Sequence, residues 1–177
     1  KEVRFKYNIP TLVGGPHATY SPEIIKEVGI DYVFRGECEI AFSRFLDNLE
    51  GGKSVDEIEN LVHLNNGEVN ANQLLPLIEN LDDIPFPDRE LLFGYKQFYD
   101  SEVRSVIASR GCPYQCSYCF NDQYQAIYTG LGKRLRIRSV DNVVAECKEL
   151  KERYKAKMIH FFDDIFPFQK DWIEEFS

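Results

Sequence analysis

The sequence has 177 residues, 44% hydrophobic and 28% charged, with 21 Lys plus Arg against 29 Asp plus Glu and a formal net charge of −8. These proportions belong to a folded chain and exclude a disordered tail, a collagen-like repeat and a basic nucleic-acid-binding domain. No apolar run approaches the roughly 18 residues a membrane span requires and no N-terminal segment reads as a signal peptide, so a cytoplasmic, unexported protein is expected. The first residue is Lys1, inside a patterned segment, and the chain reads as a piece of something longer.

Ile9 to Val13 ends in Gly14-Gly15-Pro16 and predicts a short buried strand stopped by a tight turn. Ser21-Pro22 predicts a helix start with the serine hydroxyl as cap, and Gly29 its stop. Ile30 to Phe34 predicts a second strand. Ala41, Phe45, Leu46 and Leu49 then recur at helical spacing until Gly51-Gly52. The order strand, helix, strand, helix implies an α/β layer with parallel strands. Ser54 with Glu57 fits a capping box, and Leu61 to Leu64, Asn66-Gly67, then Glu68 to Asn70 fits a hairpin. Two prolines and several turn-forming residues in the stretch from Leu81 to Asp88 read as a linker.

Val103 to Ala108 predicts a strand running straight into Ser109-Arg110-Gly111-Cys112. Val140, Val143, Val144, Cys147 and Leu150 mark one face of a helix starting near Ser139 or Asp141, and Met158 to Phe162 predicts another strand, with a further helix opening near Gln169. Two parallel strands and a crossover helix make a βαβ unit, conventionally right-handed. The cysteine loop and Asp163-Asp164 would then leave from the same C-terminal sheet edge, where α/β proteins build their sites.

Three of the five cysteines, Cys112, Cys116 and Cys119, fall within one short loop, while Cys38 and Cys147 stand apart. Clustered thiols in an unexported chain point to metal or redox chemistry rather than a disulfide scaffold. Three thiolates can hold a 4Fe-4S cluster that keeps one iron open to another ligand. A closed zinc site would need a fourth ligand, with Cys147 and His160 as downstream candidates, although Cys147 sits in an apolar helix stripe. Lys133, Arg134, Arg136 and Arg138 alternate with Leu135 and Ile137, and read either as a charge that steers an anion or as a solvated edge.

The spacing Cys112-x-x-x-Cys116-x-x-Cys119 after a strand, with Tyr118 before the last cysteine, resembles the signature of the radical S-adenosylmethionine (SAM) enzymes. The resemblance implies that Cys112, Cys116 and Cys119 ligate a 4Fe-4S cluster whose open iron binds SAM, with Tyr118 beside the adenine. It implies reductive cleavage of SAM to a 5′-deoxyadenosyl radical that abstracts hydrogen from a small-molecule or cofactor-like substrate. The electron donor would be of the flavodoxin or ferredoxin kind. Where many members have Gly-Gly-Glu, this sequence has Phe162-Asp163-Asp164-Ile165-Phe166, so Asp163 or Asp164 would take the SAM amino group, the alternative being a solvated helix-capping pair.

Leu12-Val13-Gly14-Gly15-Pro16-His17-Ala18-Thr19 and Asp31-Tyr32-Val33-Phe34-Arg35-Gly36-Glu37-Cys38-Glu39 are similar to the end of the cobalamin-binding domain of cobalamin-dependent members, which include methyltransferases and anaerobic porphyrin-ester cyclases. Cys38 stands where those members usually have Gly. Gly14 and Gly15 would let the backbone approach a bulky ligand closely. The resemblance implies the C-terminal part of a Rossmann-like (flavodoxin-like) cobalamin domain over 1–52, a hairpin and linker over 53–100, and the first βα units of a partial TIM-type barrel over 101–177. Such a chain would not complete a substrate pocket by itself. The reaction would be cobalamin-dependent methyl transfer or a ring-forming oxidation. A non-catalytic cysteine-ligated metal module, and a radical SAM enzyme that no longer binds cobalamin, are the competing readings.

Overall fold

The computed structural model describes residues 2–177, which form two compact units. The first runs to Leu77 and also takes in Tyr128–Leu131; the second comprises Ile78–Ile127 and Gly132–Ser177. No helix among the described residues is long and apolar enough to cross a membrane.

The first unit contains α1 (Glu2–Tyr7), β1 (Leu12–Val13), α2 (Pro16–Tyr20), a 3-10 turn at Pro22–Lys26, β2 (Tyr32–Phe34), α3 (Glu39–Glu50), β3 (Leu61–Asn65) and β4 (Glu68–Ala71). Its sheet runs β1-β2-β3-β4, with β1 and β2 parallel and the later pairs antiparallel. The expected hairpin forms because Asn66 and Gly67 both take positive φ, the turn that matches the twist of the flanking strands. Phe34, Ala41, Phe45, Ile58 and Leu61 form one buried cluster, and Ala18, Ile25, Val33 and Val62 a second.

Three local expectations fail in this unit. The strand expected over Ile9 to Val13 shortens to β1, where the Asp31 carboxylate, not a sheet partner, takes the Thr11 backbone N–H at 2.8 Å. Ser21 makes no side-chain cap, and Pro22 opens a 3-10 turn instead of an α-helix. No helix follows Ser54; its hydroxyl accepts from the Asp56 N–H at 3.2 Å, a turn bond that satisfies locally what a helix would have offered.

The second unit contains a 3-10 turn at Leu81–Asp83, α4 (Glu90–Phe93), α5 (Lys96–Tyr99), β5 (Val103–Val106), β6 (Ser109–Arg110), α6 (Phe120–Ile127), β7 (Arg136–Ile137), α7 (Val140–Glu152), β8 (Met158–Phe161) and α8 (Lys170–Phe176). As the pattern predicts, β5 and β8 pair in parallel and α7 is the crossover between them, capped by Ser139, whose hydroxyl accepts from the Asn142 N–H. Val106, Ala108, Val143 and Leu150 form the core, with Ile159, Phe161, Trp172 and Phe176 packed against it. Burial of each such side chain contributes roughly 1.5–3 kcal/mol, which holds the sheet against the helices. β6 and β7 form a separate antiparallel pair, Ser109 opposite Ile137 and Arg110 opposite Arg136.

Candidate functional site

The chain leaves the C-terminal end of β5, passes β6 and enters the loop Cys112–Cys119, which ends at the start of α6. Phe162-Asp163-Asp164 leaves the end of the parallel neighbour β8, so the cysteine loop and the paired aspartates emerge at one sheet edge, as the topology predicts. All three thiols are free; Cys116 is exposed, and Cys112 and Cys119 are half-buried. The Cys119 N–H donates to the Cys116 carbonyl at 2.9 Å, which folds the second half of the loop into a turn. Tyr118 projects outward, 91% exposed.

Two devices shape the loop entrance. Gly111 has φ +85°, and a Cβ there would lie 2.0 Å from the Arg134 carbonyl oxygen, so the β6–β7 pairing demands glycine immediately before the first cysteine. Asp163 accepts from the backbone N–H groups of Ala108 and Ser109 at 3.0 and 2.6 Å and from the Ser109 hydroxyl at 2.7 Å. Its carboxylate therefore ties the end of β8 to the bend between β5 and β6, three residues before Cys112. Asp164 is exposed.

In the basic segment Lys133 is solvated, 72% exposed beside an exposed Glu79, whereas the three arginines turn inward. Arg136 is buried and donates to the Ile78 carbonyl at 2.9 Å. Arg138 pairs with Glu146 at 2.6 Å and bonds the Ile107 carbonyl. Arg134 donates through Nε to the Cys112 carbonyl and through Nη2 to the Tyr114 carbonyl, both at 2.8 Å, with Asp122 3.2 Å away. Strand alternation and a shortage of backbone partners in the adjoining loops draw these guanidinium groups inward, a signal that charge counting along the sequence does not carry.

Cys147 packs against the second unit's apolar core, and burial, then Glu146, pushes its thiol up. Cys38 belongs to the first unit, where burial and the neighbouring Glu39 and Glu37 push its thiol up to about 12. Both are poor thiolate donors. Among the described residues, no three His, Cys, Asp or Glu side chains converge on a position for one metal ion. The expected donor set nonetheless suits an iron-sulfur cluster: three uncrosslinked thiols on one short loop, each able to bind a different iron without the convergence a single ion requires.

In the first unit, the turn after β1 is open. Gly15 takes φ +88° with no atom within 4 Å of a would-be Cβ, and a Cβ on Gly14 would meet only the Phe34 carbonyl at 3.9 Å. Gly14, Gly15 and His17 are exposed at the carboxyl end of a parallel strand, a position suited to a large ligand. Two residues to which sequence reasoning gave no role hold this turn and the loop after β2. Thr19 is buried, bonds the Gly15 carbonyl through its hydroxyl at 2.9 Å and accepts from the Gly36 N–H at the same distance. Asn60, fully buried with φ +64°, donates to the Arg35 and Glu37 carbonyls at 2.8 Å and accepts from the Leu75 N–H. An Asn, a residue type that tolerates positive φ, directly before an apolar strand run was the available signal for the latter.

Residues 106–177 match the Radical SAM superfamily. An uncharacterized methyltransferase of Pyrococcus horikoshii is 37% identical over 166 residues, covering 92% of this chain and 35% of that protein. An anaerobic magnesium-protoporphyrin IX monomethyl ester cyclase of Rubrivivax gelatinosus is 31% identical over 167 residues, covering 89% of this chain and 28% of that protein. Among solved structures, the radical S-adenosylmethionine methyltransferase TsrM from Kitasatospora setae, with cobalamin and a [4Fe-4S] cluster bound, superposes with a TM-score of 0.67 at 16% identity, over 94% of this chain and 33% of that one. The chain thus spans about a third of the length of the curated relatives it matches.

Proposed function

We propose, from the match of residues 106–177 to the Radical SAM superfamily, that Cys112, Cys116 and Cys119 hold a 4Fe-4S cluster and that the whole protein is a cobalamin-dependent radical SAM enzyme. Methyl transfer to a small molecule is the favoured reaction and ring-forming oxidation the second, the latter because a cyclase is among the relatives. When bound, the cluster and SAM supply one-electron cleavage of a carbon–sulfur bond, and cobalamin supplies methyl or electron transfer.

The observation that carries this reading is the placement of three free thiols on one loop at the C-terminal edge of a parallel β-pair, beside an exposed aspartate. The chain's own residues bind and orient. Asp164, exposed where Asp163 is engaged, is the acceptor we assign to the SAM amino group, and the outward ring of Tyr118 offers a face to the adenine. Val103, Ser105 and Ile107 of β5 and its extension, with Met158, His160 and Phe162 of β8 and its extension, make the sheet face away from the α7 core; we assign it to the interior of a partial barrel. The segment from Leu81 to Pro87 borders a cavity of about 480 Å³ that touches Ser105, Ile107 and Phe162 of this face and Arg138 and Glu146 on the α7 side. Gly14 and Gly15 are the assigned cobalamin contacts, within a cobalamin-binding part over residues 1–52, and a flavodoxin- or ferredoxin-type protein is the assigned electron donor.

A closed zinc module would need a fourth ligand; Cys147 is committed to the core, and among the described residues no three donors converge on one position. Anaerobic reconstitution should yield roughly four irons and four sulfides per chain, with Cys116→Ala losing most of both. Stoichiometric zinc without sulfide would refute the reading.

A further inference from the structure

We infer that Arg134 is a positioning residue for the cysteine loop, a role resting on the cluster assignment proposed above. Its guanidinium bonds the carbonyl of the first cysteine, Cys112, and that of Tyr114, midway to the second. Asp122, in α6 beyond the third cysteine, pairs with the same Nη2 atom. One side chain thereby joins the entrance, the middle and the far side of the loop.

The backbone of Arg134 closes the arrangement from the other direction. Its carbonyl lies where a Cβ on Gly111 would have to go, and the Gln125 side chain of α6 donates to that carbonyl at 3.3 Å. The residue is thus fixed at both ends, main chain against Gly111 and α6, guanidinium against the loop. The intraloop turn bond spans Cys116 and Cys119, in the second half of the loop, whereas the bonds that Arg134 makes fall on Cys112 and Tyr114 in the first half. Ordering a flexible segment costs conformational entropy on the order of 1 kcal/mol or more per residue, so a loop already held when the cluster assembles captures it at lower cost. A planar fork that serves two carbonyls and a carboxylate is specific to arginine; a lysine ammonium keeps the charge and loses the fork. A permanent cation bonded to the backbone of a ligand residue also favours the more reduced, more negative cluster, raising its reduction potential.

The test compares the full chain with Arg134→Gln and Arg134→Lys. In cluster-free protein, amide hydrogen exchange over residues 112–116 should speed up by about tenfold in Arg134→Gln and by less in Arg134→Lys, while amides of β5 and β8 keep wild-type protection. After reconstitution, Arg134→Gln should retain less than half the wild-type iron and sulfide. The cluster that remains should titrate at a lower potential by electron paramagnetic resonance, with Arg134→Lys nearer the wild type. Wild-type exchange over 112–116 in Arg134→Gln overturns the inference. Should Arg134→Gln lose protection throughout β5 and β8, Arg134→Lys decides alone: faster exchange confined to the loop supports the clamp, and unchanged exchange overturns it. Failure of the wild type to take up iron and sulfide would refute the cluster assignment, while the exchange comparison would still judge the clamp.

Discussion

At the residue scale, Asp163 and Asp164 show how neighbours of one type divide between structure and chemistry. Asp163 satisfies two backbone N–H groups and a hydroxyl at the bend that leads to Cys112; Asp164 is exposed. Asp163→Ala would leave the buried Ala108 and Ser109 donors without that acceptor, at about 1–3 kcal/mol each where water cannot replace it. The cysteine loop should then retain several-fold less iron after desalting. Asp163→Asn keeps one oxygen for the same donors and should retain most of it. Asp164→Asn should leave iron content unchanged and weaken SAM binding, measured by equilibrium dialysis of the reconstituted protein. Lower iron in Asp164→Asn, or unchanged iron in Asp163→Ala, would reverse the assignment. The sequence carried the pair and its position past a strand, because both follow from local pattern. It could not rank the two, because the ranking depends on which carboxylate faces a bend 54 residues away.

At the element scale, the stretch from Leu81 to Asp88 reads as an irregular linker; it opens with a 3-10 turn at Leu81–Asp83, is irregular beyond it, and is held to the second unit. Arg89, just ahead of α4, bonds the Ser105 carbonyl of β5 and pairs with Glu146 of α7 at 2.5 Å. Arg138 pairs with the other oxygen of Glu146, which is 3% exposed. Both charges on the carboxylate are needed because a buried anion without partners is expensive. Glu146→Gln keeps the shape and removes the charge, and should destabilise the second unit by about 3 kcal/mol, read as lost hydrogen-exchange protection across α7 and β5. A change below about 1 kcal/mol would show that the two arginines find other partners. This element was half legible. Glu146 lies in the register of the apolar stripe, one residue before Cys147, and a glutamate there announces a buried partner without naming it. The hairpin was fully legible because Asn66-Gly67 settles its turn locally. The helix start at Ser54 was misread because a serine followed by a glutamate is equally a turn, and only the packing of Val55 and Ile58 into the first unit's core decides between them.

At the scale of the whole molecule, the parallel order of β5 and β8 was readable because a strand, an amphipathic helix and a second strand leave little topological choice. The short strands of the first sheet were not, since β1 and β2 owe their extent to side chains such as Asp31 and Asn60 that reach across sequence. Burial opposes the charge of Asp31, and the Thr11 backbone N–H and the Arg4 guanidinium outweigh it, holding its carboxyl below the ordinary range. Strand alternation turns one face of the β5–β8 pair to the core and leaves the other open. Ile107 is 50% exposed, Met158 61% and Phe162 63%, in register on the side of the β5–β8 pair away from α7. An apolar face of this kind normally marks a surface that another element covers, and in isolation it recruits apolar probes. The chain of residues 1–177 should therefore enhance the fluorescence of anilinonaphthalene sulfonate. Replacing Ile107 and Phe162 together with Thr should cut that signal at least twofold while circular dichroism stays unchanged, because neither side chain belongs to the buried cluster formed by Val106, Ala108, Val143 and Leu150. An undiminished signal would place the dye elsewhere and remove the reason to regard this face as the wall of a reaction chamber.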